Sequence, residues 1–590
     1  MKFKMSKIAA AVVTVGAIGS AQAVTVNPDR TGQVLILPYY NVNNNFVTNF
    51  EIVNTKDEYK IIKVRLREGG NSQDVLDFNI YMSPFDVWKG VIRHVERTDS
   101  EGNTVIRANL TSADNSCTLP ASDASLTING VPGMKLNSSG WDMNVLYPDV
   151  TDADAREGYI EIIEVGTIDP NTYVDMDGDG ATNGNNDQKL TDGIKHGTDG
   201  KPADCSVIAK AWTNGTTNGA SASGAAVNNW GSYAPDSVNY VGDSDADAAL
   251  DAPGGGLYAF EVLLNASSGS AFVADATAID HYSTKSQHYR PGDPVNFLLP
   301  SLASGDVQTT LVPVAASDSA AILNWPLTID ATLNDGDSNT PRSGVNPLPI
   351  AHVLQAKAVM NSYFIKPEFD GATEAVLTFP MKKHGIFNGK WHHGLLQFDD
   401  NTGEYVCSDT DPNNPPSNAV GAATVGTGTT EGENVCFQGR DKDVEVTVQV
   451  WDFEEQTIKQ EDPGFTVSPV IEPQTKKTVL SREVNVVTFA DTGSSILGAS
   501  ERTNINPGVD FTAGWFQIDF ANKCLQETDL ADGTVGSNFL AAAPTQATCG
   551  VPVIGFTAVQ GRDFNIQAGT FFGETIEHRY MRDVSPTATP

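Results

Sequence analysis

The densest run of oxygen ligands in this 590-residue chain lies between Asp175 and Asp187. Carboxylates at loop positions one, three and five, with glycine at six, wrap hard oxygen ligands around a Ca²⁺ ion, and position seven adds a backbone carbonyl. In this register Asp175, Asp177 and Asp179 are the carboxylates, Gly180 makes the turn, and Ala181 offers the carbonyl. Asn183 stands at position nine and Asn186 at twelve, with Asp187 beside it. A bidentate glutamate at twelve and flanking amphipathic helices are missing. The expectation is therefore a weak calcium loop of the extracellular-module type, against the competing reading of an acidic solvated turn. Asp243, Asp245 and Asp247, and then Asp335 and Asp337, repeat part of the spacing and read as solvated loop charges.

The six cysteines are Cys117, Cys205, Cys407, Cys436, Cys524 and Cys549. An even number in an exported chain reads as disulfides. Their order favours sequential pairs: Cys117 with Cys205, Cys407 with Cys436, and Cys524 with Cys549. No C-x-x-C or C-x-x-H spacing supports zinc. His392 and His393 alternate faces if they lie on a strand, so sharing one metal is disfavoured; these and His281 and His288 read as structural.

Neither G-x-S-x-G nor S-x-x-K occurs in a plausible setting. Glu161 with Glu164, or Glu454 with Glu455, are carboxylate pairs of the kind a glycosidase uses, yet Glu161 and Glu164 alternate faces of one strand. No catalytic motif is recognised, and the expectation is a non-enzymatic protein. The aromatic groups Tyr39 and Tyr40, Phe85 with Trp88, and Trp515 with Phe516 read as core, with a sugar-stacking stripe as the alternative.

Behind these residues the text is strand-like. Residues 33–40, 46–53, 61–67 and 75–82 follow one another with turn residues between them, and 61–67 alternates apolar with basic side chains. The alternation returns at 157–165, 257–264, 271–274, 375–379, 444–451, 484–489, 514–520 and 551–556. One helix is expected over 350–364. The fold class is mainly β: two β-sandwich-like, immunoglobulin-like domains with long loop insertions and one or two short helices. The expected boundaries are a first β-rich domain over 24–331 with an Asp/Asn/Gly-rich insertion at about 167–256, a linker at 332–348, a second β-rich domain over 349–582, and a disordered tail at 583–590.

Residues 1–23 combine a basic start, an apolar run from Ile8 to Gly19 and a small-residue ending at Ala23, which are the parts of a secretory signal peptide. The formal charge is -35. Such a surface repels nucleic acid and favours cations. No later stretch is apolar enough to span a bilayer as a helix, and irregular strand spacing argues against an outer-membrane barrel.

Several strand segments, 32–40, 75–88, 158–164, 376–383, 483–489 and 551–556, are similar to a poorly characterised family of exported proteobacterial proteins described only as cell-surface proteins. That resemblance implies location and fold class, and it brings no catalytic residues with it. The functional expectation is a structural or adhesive cell-surface protein, a surface-layer or matrix component, calcium-stabilised, whose partners are copies of itself or cell-surface glycans. Location outside the cell or on its surface is expected, with the periplasm as alternative. The alternative function is a secreted polysaccharide-binding module or glycoside hydrolase.

Overall fold

The computed structural model describes residues 24–99, 101–119, 141–143, 151–174, 176, 188–213, 250–284, 286–288, 300–305, 309–313, 321–323, 348–384, 386–387, 390–391, 395–399, 404–408, 443–454, 477–489, 495–507, 511–520, 524–525, 548–562, 571–582 and 584–586. The expected signal segment lies outside the described residues, as does the expected linker up to Leu348. The principal strands are β1 (Val34–Asn41), β2 (Val47–Asn54), β3 (Lys60–Glu68), β4 (Asp74–Met82), β5 (Val87–Thr98), β6 (Thr104–Thr111), β7 (Glu157–Ile168), β8 (Leu257–Asn265) and β9 (Ser270–Asp275). Further along the chain come β10 (Ala358–Phe364), β11 (Ala372–Thr378), β12 (Val444–Asp452), β13 (Val484–Thr488), β14 (Ala513–Asp519), β15 (Ile554–Arg562) and β16 (Phe571–Glu577).

Four large sheets are stacked. The outer first sheet runs β9-β8-β2-β5-β6 and ends in Trp141–Asp142. The inner first sheet runs Thr25–Val26, Thr277–Asp280, β1, β7, β3, β4, Cys117–Leu119. The inner second sheet runs Thr503–Asn504, β13, β11, β15, β16, and the outer second sheet runs Lys477–Leu480, β12, β14, β10, Arg579–Met581. All pairings in them are antiparallel except that of Thr503–Asn504 with β13. The edges are mostly two to four residues long; the two long ones, β9 and β16, lie against each other, where Val273 N–H donates to Thr575 Oγ1 and Arg30 bridges Asp275 and Glu577.

The period of two explains the layers. On β3, Ile62, Val64 and Leu66 enter the first sandwich core with Phe78, Ile80, Ile160 and Ile162, and Trp88 of the outer sheet packs between Phe50 and Phe78 at 5.5 and 5.4 Å. The second sandwich closes over Val359, Leu377, Val446, Phe489, Phe516 and Ile518. A third core lies between the inner sheets: Val34, Ile36, Tyr159 and Ile163 from one meet Val376, Val486, Ile554 and Phe556 from the other. Strands β1, β3 and β4 are consequently buried along their whole length on both faces, and β7 everywhere but at Thr167.

Three expectations are revised. The helix expected over 350–364 ends at Leu354, and β10 follows, paired with β14 and with Arg579–Met581. The 167–256 insertion is more than loop: α1 (Leu190–Ile194) and α2 (Ser206–Thr213) build a small apolar cluster with Val174, Ile61 and Tyr81. Within the expected disordered tail, Val584–Pro586 pairs with Thr309–Pro313. The third helix is α3 (Leu348–Leu354), and among the described residues no helix is long and apolar enough to cross a membrane.

Candidate functional site

Of the calcium-loop residues, Asp175, Asp177, Asp179, Ala181, Asn183, Asn186 and Asp187 all lie outside the described residues. Their flanks are described: Tyr173–Val174 pairs antiparallel with Gln188–Lys189, so a short ribbon joins the two ends of the stretch. Among the described residues no group of three or more His, Cys, Asp or Glu side chains is arranged to hold a metal.

Cys117 and Cys205 form a disulfide with Cα atoms 5.4 Å apart, fastening the insertion to the edge strand Cys117–Leu119. Cys524 and Cys549 stand opposite each other in an antiparallel pair, a backbone register compatible with the expected bond. Cys407 is in the strand Glu404–Ser408, and Cys436 lies outside the described residues. His392, His393 and Glu455 are outside them as well.

One constellation escaped sequence reading. Ser83 Oγ is 3.0 Å from His196 Nδ1, and Asp86 Oδ2 is 3.6 Å from the same nitrogen. Asp86 Oδ2 also accepts from Ser83 N–H and Ser116 Oγ, and burial raises the Asp86 pKa while His196 opposes the rise. A nucleophilic triad sets serine on one imidazole nitrogen and carboxylate on the other. Here both address Nδ1, so the group ties the insertion to the turn after β4 rather than activating Ser83. The sequence separation of 113 between Ser83 and His196 leaves no local text to read.

The largest concentration of charge is buried on the inner first sheet, on the face turned from its sandwich partner. Lys63, Arg65 and Arg67 alternate along β3, and Asp77 on β4 and Glu161 on β7 both oppose Arg65. Lys63 Nζ lies 2.7 Å from Asp77 Oδ2, Arg65 Nε 3.1 Å from Asp74 Oδ2, and Arg67 Nε 2.8 Å from Glu161 Oε1. Arg67 Nη1 also reaches Asp74 Oδ1 at 2.8 Å. Burial lowers the Lys63 pKa and Asp77 opposes the fall. Three cations thus neutralise three carboxylates in a buried layer. Glu164 is consumed separately, by Lys60 Nζ at 2.6 Å and by the Gly254 and Gly255 N–H groups at 2.8 Å each. Glu161 and Glu164 are therefore held by separate sets of partners and do not act on a common point.

A second polar network crosses from one inner sheet to the other. Pro38 has no N–H, and β1 bulges there, its register with β7 shifting between Gly158 and Ile160. The bulge aims three groups. The Pro38 carbonyl accepts from Thr378 Oγ1 of β11 at 2.6 Å, Tyr39 N–H donates to Glu261 Oε1 of β8 at 3.1 Å, and Tyr39 O–H donates to Glu157 Oε1 at 3.0 Å. Glu157 Oε2 accepts from Ser500 N–H at 3.0 Å, and Glu374 Oε2 accepts from Ser495 Oγ at 2.8 Å and Leu497 N–H at 2.9 Å. Residues 495–500 form a strap held by one carboxylate from each inner sheet. Its turn requires glycine: Gly498 has φ 75°, and a Cβ there would meet the Phe46 ring at 2.6 Å. Burial pushes the Glu374 pKa up to about 7 against these donors, and it also raises Glu261 well above the usual carboxylate range.

The expected aromatic groups divide. Tyr39, Tyr40, Trp88 and Phe516 are core, whereas Phe85 and Trp515 are exposed. Trp515 stacks on Trp451, a residue the sequence reading passed over, with centroids 3.9 Å apart and planes within 8°. The two are directly opposed on β14 and β12, on the outward face of the outer second sheet. Gly514 lets the strands close beside them, because a Cβ there would collide with the Trp451 carbonyl. Comparison of the chain with family models, curated proteins and solved structures found no match.

Proposed function

We propose that the chain is a non-enzymatic, exported cell-surface protein with a structural or adhesive role. The observation that carries this reading is the seam between the inner sheets. Its polar groups are spent on hydrogen bonds between the two halves, from Thr378 to the Pro38 carbonyl, from Ser500 to Glu157 and from Asn41 to the Leu497 carbonyl, which join the two sandwiches into one slab. Support also comes from the signal-like residues 1–23, the charge of -35, the Cys117–Cys205 bond and the resemblance to exported surface proteins.

Calcium belongs to the proposal in the stretch 175–187, whose flanking ribbon brings the ends of the ligand run together. An acidic slab with divalent cations at its surface is suited to bridging neighbouring copies or anionic envelope groups. Fractionation and immunogold imaging of intact cells, with and without a chelator, test the reading. The expected result is surface label that diminishes on chelation. A protein found only in the soluble periplasm and indifferent to chelator would overturn it.

A further inference from the structure

We propose that the outward face of the outer second sheet is a binding platform for a neutral polysaccharide; this deepens the adhesive reading and rests on it. The directly opposed residues of β10, β14 and β12 define rows across this face. One row is Ser362, Trp515, Trp451, and the next is Met360, Gln517, Gln449. These residues are exposed or half-buried, while their strand neighbours Tyr363, Phe516 and Val450 point into the second core.

Tryptophan gains more from burial than any other side chain of a sheet, yet Trp515 is 38% exposed. A stacked cross-strand pair does stabilise a sheet, and that accounts for the contact between the two rings. It leaves the neighbourhood unexplained. From β10 the residue facing Trp515 is Ser362, too small to cover the indole. In the adjacent row, about 7 Å along the strands, Gln449 and Gln517 stand side by side; Gln517 Nε2 reaches Asp519 Oδ2 at 3.4 Å, and a primary amide, with two N–H groups and a carbonyl oxygen, still has a donor and an acceptor to offer. Apolar ring faces beside paired amides match the surface of a pyranose, whose C–H face stacks on aromatic rings and whose hydroxyls both donate and accept. The charge of -35 selects among glycans: it repels polyanions and leaves uncharged chains unaffected.

The test uses the purified full-length protein in native affinity gels containing hydroxyethylcellulose, a soluble mixed-linkage β-glucan, or alginate. Retardation by at least one of the neutral polymers and not by alginate is expected. Trp515→Ala and Gln517→Ala should each weaken that retardation about tenfold, with the melting temperature of Gln517→Ala unchanged. Should Trp515→Ala fail to fold, Gln517→Ala decides the matter, together with the tryptophan emission of wild type, which should shift on addition of the glucan. Wild type passing both neutral gels unretarded, retardation by alginate alone, or wild-type binding by Gln517→Ala would overturn the proposal. Glucan binding by a chain that fractionates to the periplasm would refute the surface location and leave the platform standing.

Discussion

Glu374 binds a proton more tightly in the folded chain than in the unfolded one, because burial disfavours its charge. A raised carboxyl pKa stabilises the fold fully below about 4.5, and that contribution is lost as pH rises through about 7. Glu374→Gln keeps an acceptor for Leu497 N–H and removes the charge. Its urea midpoint should vary less between pH 5 and 8 than that of wild type, and at pH 8 it should gain on the order of 3 kcal/mol; parallel pH profiles would refute the assignment. Histidines act in the opposite sense. Burial lowers His352 and His578 to about 4, so both stay neutral when folded, and their contribution is lost as pH falls from 6.5 towards 4. In the ionic layer, Arg65→Ala leaves Lys63 and Arg67 as two cations facing the three buried carboxylates Asp74, Asp77 and Glu161, and should cost about 3–5 kcal/mol in chemical denaturation. A loss under 1 kcal/mol would mean that water reaches that layer.

At the scale of the element, much of the fold was legible because β text has a period of two. β1, β2, β3, β4, β8, β12, β13 and β14 fall within a residue or so of their expected bounds, and β7 runs three residues further than expected. β10 was misread as helix because its inward position Asn361 is polar and breaks the alternation. The structure explains that residue through its Nδ2, which donates to the Ile576 carbonyl. β5 was passed over because its inward position Gly90 carries no apolar side chain; a Cβ there would strike Phe50 and Trp88. The candidate sites were less legible, since face and partner are tertiary facts. Trp451 sits in readable strand text, but nothing local says that it looks outward, and Glu157 meets Ser500 across 343 residues. Cysteine order, by contrast, anticipated Cys117–Cys205. That bond closes 88 residues, so the double variant Cys117→Ser/Cys205→Ser should lose about 2–4 kcal/mol of stability. Equal urea midpoints for variant and wild type would show that the ribbon and helices hold the insertion unaided.

At the scale of the whole molecule, the core between the inner sheets takes side chains from both halves of the chain. Neither half can lose its inner sheet without exposing the other's apolar face. One calorimetric transition is therefore expected, with near-UV and far-UV signals changing together; two resolved transitions would show that the seam is weaker than either sandwich. Its sheet margins matter in a different way. A free strand edge is a template on which another chain can add, the first step towards amyloid. The four large sheets offer two to four residues at most of their described margins and turn their two long ones, β9 and β16, upon each other. Strand-to-strand polymerisation through these margins is thereby discouraged.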